Sequence, residues 1–332
     1  MNIKNWLSGV INQPERIAIP IMTHPGIEMI GKTVLDAVTD GNVHADAIKA
    51  LNDRYPSAAS TVIMDLTVEA EAFGCAINFS RDEVPAVSRR LVSCFDEVQQ
   101  LPVPPLTAGR VPQYLLANRL TAAAINNKPV FGGCIGPYSL AGRLFDLTEI
   151  MMAIYIEPET IQLLLEKCTR FLIDYIRALK ATGINGIIIA EPAAGLLSDE
   201  DCFQYSSVYV KQIIDTLRDD NFAVILHNCG NTGQCTTAML STGADGYHFG
   251  NVIQMTEALN ACPPDVLALG NLNPVGIFRM STPDQVRQAT TSLLEQTAGY
   301  ANYILSSGCD VPPLTPLQNV EAFYEALTAY NQ

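Results

Sequence analysis

Two cysteines and a histidine are spaced so that one metal ion could join them. Leu226-His227-Asn228-Cys229-Gly230 carries a His-x-Cys pair, and Ser307-Gly308-Cys309-Asp310 carries a second cysteine much further along the chain. Each follows a short apolar run, so each is expected to project from a strand end. Two thiolates and one imidazole make a zinc set with one position left open, and catalytic zinc sites keep such a position for a substrate. His227, Cys229 and Cys309 therefore predict a zinc ion that accepts a ligand. The competing explanation for each residue taken singly is structural. A lone histidine beside an apolar run is usually satisfied by its neighbours, and a lone cysteine usually packs as a small apolar group. The placement of all three at run ends is what favours the metal.

Eight apolar runs position these residues: 17–22, 61–66, 129–133, 186–190, 223–226, 246–249, 266–270 and 303–306. Short unbroken runs of this kind read as strands buried on both faces, as in a parallel sheet. Helical patterns lie between them. One spans Glu159 to Leu179, with Gly183 marking its end. Ser198-Asp199-Glu200-Asp201 opens another with acids in the first turn. Ser281-Thr282-Pro283-Asp284 and Thr315-Pro316 open two more. Strands alternating with helices indicate an α/β fold, a (β/α)8 TIM barrel with its chemistry at the C-terminal strand ends. The interval 67–128 is too long for one crossover. It is expected to hold additional helices between the second and third strands, with a loop around Pro102-Val103-Pro104-Pro105. An open doubly wound sheet is the runner-up, weakened because no Gly-x-Gly-x-x-Gly follows an early strand.

Length and composition agree with one such domain over residues 1–332, because barrels of this size commonly form a single unit. Apolar residues make up 48% of the chain and charged residues 16%, enough to fill a large core. A net charge of −14 argues against nucleic acid, whose phosphates need a basic face. No apolar stretch reaches the ~20 residues of a membrane span. Met1-Asn2-Ile3-Lys4-Asn5-Trp6 lacks a secretory pattern, so a cytoplasmic protein is expected. The nine cysteines are odd in number and irregularly spaced, which does not describe a disulfide framework.

Further polar residues fall at run ends. Asp65 closes the second run and Glu191 the fourth, while Asn251 and Asn271 follow the sixth and seventh. Glu191 offers a fourth zinc ligand, a general base or a cap for the next helix. The Gly132-Gly133 and Gly136-Pro137 steps allow close backbone approach to a ligand, or serve as ordinary turns. Arg81, Arg143 and Arg279 are the candidates for an anionic substrate group, with pairing to surface acids as the alternative. His24 and His248 read as structural.

At these residues the chain resembles the uroporphyrinogen decarboxylase superfamily, and within it is most similar to the methylcobamide:coenzyme M methyltransferase branch. The likeness runs through residues 64–75 (MDLTVEAEAFGC), 136–142 (GPYSLAG), 226–232 (LHNCGNT), 269–274 (LGNLNP) and 307–316 (SGCDVPPLTP). It implies a zinc site at His227, Cys229 and Cys309, with zinc activating a thiol substrate as thiolate. It implies methyl transfer to that thiol from methylcobamide, a corrinoid. The chain has no Asp-x-His-x-x-Gly motif, so the donor is expected on a separate corrinoid protein. Asp65 and Glu191 are then expected near the reacting centre, with Gly136, Tyr138 and Asn271 against the cofactor. The acceptor stays open among coenzyme M, another thiol such as homocysteine, and tetrahydrofolate. Two alternatives stand beside this reading. One is decarboxylation of a tetrapyrrole, disfavoured because residues 21–28 (IMTHPGIE) contain no arginine to grip carboxylates. The other is a non-catalytic corrinoid-protein partner.

Overall fold

A computed structural model describes residues 1–332. Its strands are β1 (Ser60–Thr61), β2 (Ile77–Asn78), β3 (Ala86–Val87), β4 (Val130–Ile135), β5 (Gly186–Ala190), β6 (Ala223–Asn228), β7 (Gly246–Phe249), β8 (Leu267–Leu272) and β9 (Tyr303–Ser307). Seven form one sheet in the order β1-β4-β5-β6-β7-β8-β9, and each neighbouring pair is parallel. β2 and β3 make a separate antiparallel hairpin.

The sheet curls into a ring that residues 17–21 close. Leu305 N donates to Ile17 O at 3.2 Å, Ile19 N to Leu305 O at 3.0 Å, and Ala58 N to Ala18 O at 2.9 Å. This segment therefore lies between β9 and the approach to β1, and the protein is a (β/α)8 barrel as expected. The first two staves are less regular than their sequences predict. Pro20 has no N–H to give to a ladder. Beyond β1 the pairing continues from Val62 N to Phe131 O at 3.0 Å, but the next amide, Ile63 N, donates to His44 Nε2 at 2.9 Å. Burial holds the His44 pKa down to about 3, so its imidazole is neutral and free to accept.

Strand side chains alternate between two cores. Ile188 and Ile225 point into the barrel with Phe131, Leu269 and Ile304, whereas Ile187, Ile189, Val224 and Leu226 face the surrounding helices. The helix Ile3–Asn12 belongs to the inner set: Ile3 and Val10 are buried in it, with Trp6 packed against it. This helix stops the N-terminal end of the barrel. The C-terminal ends are left for chemistry.

The stretch between the second and third staves holds helices Val68–Phe73, Phe95–Gln100 and Val111–Ala124 around the β2–β3 hairpin, as its length required. The predicted caps are present: Ser198 Oγ accepts from Asp201 N at 3.1 Å, and Thr282 and Gln285 form a reciprocal capping box. No helix is long and apolar enough to cross a membrane.

Candidate metal centre at the barrel mouth

His227 lies in β6, in register with Ala190 on one side and His248 on the other. Cys229 follows at once, in a turn that Asn228 builds by accepting from Gly230 N and Asn231 N, both at 3.0 Å. Cys309 comes two residues after β9. Its loop is held on both sides: Gly308 N donates to Leu272 O at 2.6 Å, and Thr23 Oγ1 donates to Asp310 Oδ2 at 2.9 Å. Two glycines permit the approach. A Cβ at Gly250 would lie 2.5 Å from the Cys229 carbonyl oxygen, and one at Gly308 2.6 Å from Asn251 N. The result is that the donor atoms of His227, Cys229 and Cys309 all fall within 4.8 Å of one another.

The hydrogen bonds behind His227 fix which of its nitrogens faces the cysteines. Ser306 Oγ gives its single proton to Ile19 O at 2.8 Å, so toward His248 Nε2 at 2.9 Å it must accept. His248 Nε2 therefore carries the hydrogen. Burial, reinforced by the neighbouring His227, holds the His248 pKa well below the usual histidine range, which leaves its Nδ1 bare. His227 Nδ1 sits 2.8 Å from that bare nitrogen and must supply the proton. In the neutral imidazole His227 Nε2 is then the lone-pair nitrogen. It is buried and has no hydrogen-bond partner, an arrangement that costs free energy unless something else occupies the lone pair. A divalent cation shared with two thiols fits that need. The thiols themselves interact. Their proximity draws Cys229 below the usual thiol range, while the same proximity together with burial drives Cys309 above it.

The other predicted residues divide among neighbouring positions. Glu191 follows β5 and is 1% exposed. Its Oε1 accepts from Tyr138 N at 2.8 Å, and its Oε2 from Ser139 N at 3.0 Å and Ser139 Oγ at 2.9 Å. The carboxylate thus caps the helix Pro137–Phe145, which precedes it in the chain, and not the helix that follows. Burial pushes its pKa up to about 7 against the lowering effect of these bonds. Gly136 makes room for it, since a Cβ there would lie 2.3 Å from Glu191 Cγ. Tyr138 is fully buried, and its hydroxyl has no partner. Asn271 ties the loop after β7 by donating to Gly250 O at 3.0 Å and Ile253 O at 2.8 Å. Asp65 stands in a separate buried network: Arg110 Nη1 at 2.5 Å, Thr67 Oγ1 at 2.7 Å and Tyr114 Oη at 3.3 Å.

Three contributors escaped sequence reasoning. His248 and Ser306 look like isolated polar residues until the register pairs His248 with His227. His227 follows the fifth apolar run at once and His248 is the third residue of the sixth, and that was the available signal. Glu69 is the third. It is 1% exposed, accepts from Ile135 N at 3.1 Å with Oε1, and leaves Oε2 without a partner. Burial pushes its carboxyl up to about 8.

The sequence profile of the uroporphyrinogen decarboxylase (URO-D) family matches residues 14–330. The chain belongs to the uroporphyrinogen decarboxylase family. This family member is 30% identical over 308 residues to the methylcobamide:CoM methyltransferase MtbA of Methanosarcina acetivorans, spanning 86% of each chain. It is 25% identical over 294 residues to the uroporphyrinogen decarboxylase of Vibrio vulnificus, spanning 84% of this chain and 82% of that one. Its backbone matches a methyltransferase from Methanosarcina mazei with a TM-score of 0.89 over the whole of both chains at 22% identity, a likeness of fold.

Proposed function

We propose that residues 1–332 form one catalytic domain, a zinc-dependent methyltransferase that moves a methyl group from a methylated corrinoid, carried on a separate corrinoid protein, to a thiol such as coenzyme M. Similarity to methylcobamide:CoM methyltransferases supports the reaction class. The observation that carries the metal is the bare, buried Nε2 of His227 beside two thiols. Zinc held by His227, Cys229 and Cys309 would keep an incoming thiol as its thiolate at neutral pH, where a free thiol of pKa near 8.5 is mostly protonated. In the overall exchange a sulfur–carbon bond forms and the cobalt–carbon bond breaks. The electron pair of the broken bond stays on cobalt, taking Co(III) to Co(I), and the thiol proton is released.

The chain's own residues set the conditions for that exchange. The Ile19–Ser306–His248 relay aims the His227 lone pair. Glu191, with its pKa raised to about 7, can hold or release a proton near neutrality. Asp65 orients through Arg110 and Thr67. Gly136, Tyr138 and Asn271 shape the wall that receives the corrinoid.

The decarboxylase reading is weaker at residues 21–28. Besides lacking arginine, this stretch commits Thr23 and His24 to Asp310, the neighbour of Cys309, with His24 Nδ1 3.2 Å from Asp310 Oδ2. Its side chains serve the metal loop.

The deciding experiment is metal content of purified wild type and Cys309→Ala, followed by methyl transfer from methylcobalamin to a panel of thiols. About one zinc per chain is expected, lost with activity in a variant that stays folded. Metal-free wild type would defeat the zinc assignment. Zinc without transfer to any thiol would favour the non-catalytic partner, and conversion of uroporphyrinogen to coproporphyrinogen would restore the decarboxylase.

A further inference from the structure

We propose that a cavity over the C-terminal ends of β4 and β5 is an oxyanion site in which Arg89, Arg90 and Arg143 bind the phosphate, sulfonate or carboxylate group of a small ligand. The cavity has a volume of about 440 Å³, a size suited to small molecules. Its arginines come from two parts of the chain. Arg143 comes from the last turn of the helix Pro137–Phe145, and Arg89 and Arg90 from the segment just after β3.

What distinguishes these arginines is that three of them, each without a partner in a chain rich in acids, line one cavity. Asp and Glu number 34 against 20 Lys and Arg, and several arginines elsewhere find them, Arg54 pairing with Glu321, Arg177 with Asp174 and Arg287 with Glu325, while Arg119, Arg170 and Arg279 do not. Arg89, Arg90 and Arg143 enter no ion pair and no side-chain hydrogen bond. The one acid lining the cavity, Asp146, is already engaged, its Oδ1 accepting from Thr148 N at 2.9 Å and Glu149 N at 3.3 Å. The carboxyls that influence Arg143 from the barrel side are also committed, Asp65 to Arg110 and Glu69 to Ile135 N. Arg143 is half-buried, and burial weakens its charged state. Three like charges lining one concavity repel each other. An oxyanion relieves that repulsion and matches the planar donor fork of each guanidinium.

The inference needs no zinc, and its test is arranged to stand apart from the metal centre. Pyrophosphate binding is measured by calorimetry on wild type and on metal-free Cys309→Ala, then on Arg143→Gln, Arg90→Gln and the control Arg279→Gln. Equal binding to the first two proteins is expected, at least tenfold weaker in Arg143→Gln and Arg90→Gln, and unchanged in Arg279→Gln. No binding to wild type, or binding that survives both cavity substitutions, would overturn the site. Competition between pyrophosphate and the methyl acceptor would assign the site to the acceptor's anionic end. Binding without competition would assign it to a separate ligand.

Discussion

The two halves of the barrel mouth treat charge in opposite ways. On the β6–β9 side, a carbonyl, a hydroxyl and two imidazoles are linked so that one nitrogen remains bare beside two thiols. On the β4–β5 side, the Glu191 carboxylate is given three donors, while the three guanidiniums of the adjoining cavity are given no acceptor. The first half is short of a cation and the second of an anion. In each the unmet need lies beside groups that are already hydrogen-bonded. An unmet need of this kind is informative because the protein could have met it with its own side chains, and at Asp65 it did.

That third network offers the largest break in the comparison. Asp65→Asn takes from buried Arg110 one of its two carboxylate partners, leaving Glu71, and breaking a buried pair costs up to about 3–5 kcal/mol. Denaturant titration should show that loss while zinc content stays at the wild-type level. Loss of zinc as well would join Asp65 to the metal half. His248→Ala comes next. It removes the imidazole acceptor of His227 Nδ1–H and leaves only the His248 carbonyl at 3.2 Å, and disrupting such a support typically weakens metal binding about 10–100-fold. A competing chelator measures the change, with partial recovery expected in His248→Gln. Wild-type affinity in the alanine variant would mean the relay does not orient the ligand.

The effect of Glu69→Gln should be smaller and confined to a pH window. The folded-state pKa is raised from 4.5 to about 8, so the folded protein holds a proton that the unfolded chain has lost. Stability should then fall as pH rises from about 4.5 toward 8. The glutamine variant should flatten that decline, as read from urea midpoints at several pH values. Ser306→Ala is the mildest change. It frees His248 to adopt either tautomer, and a loss of zinc affinity below tenfold is expected by the same chelator assay.

Much of this was legible because the barrel converts a linear rule into a spatial one. Residues that end apolar runs gather at one rim, so His227, Cys229 and Cys309 could be grouped without coordinates. Helix caps at Ser198 and Thr282 were legible for a similar reason, since a cap is local chemistry. What stayed hidden depends on neighbours distant in the chain. The role of His248 rests on Ser306 and Ile19, and Glu191 caps a helix that lies before it in sequence. Gly250 and Gly308 are required by loops they merely touch. Arg143 was one of three equal candidates, and only packing separates it from Arg81, which sits exposed beside Asp82 at 3.9 Å. The first two staves were harder to read than the others because Pro20 in the first and the side chain of His44 at the second interrupt pairing that hydrophobicity alone predicts.

The helix Ile3–Asn12, wedged under the inner core, has a kinetic corollary. A barrel stoppered at its floor has one doorway, through which every reactant arrives and every product departs. Under the proposed reaction a corrinoid protein resting over the rim would shut that doorway on a small acceptor. The two substrates would have to queue, with the thiol seated first and the methylated thioether held until the larger partner leaves. Initial-rate patterns would then follow a compulsory order imposed by ten residues at the far end of the molecule.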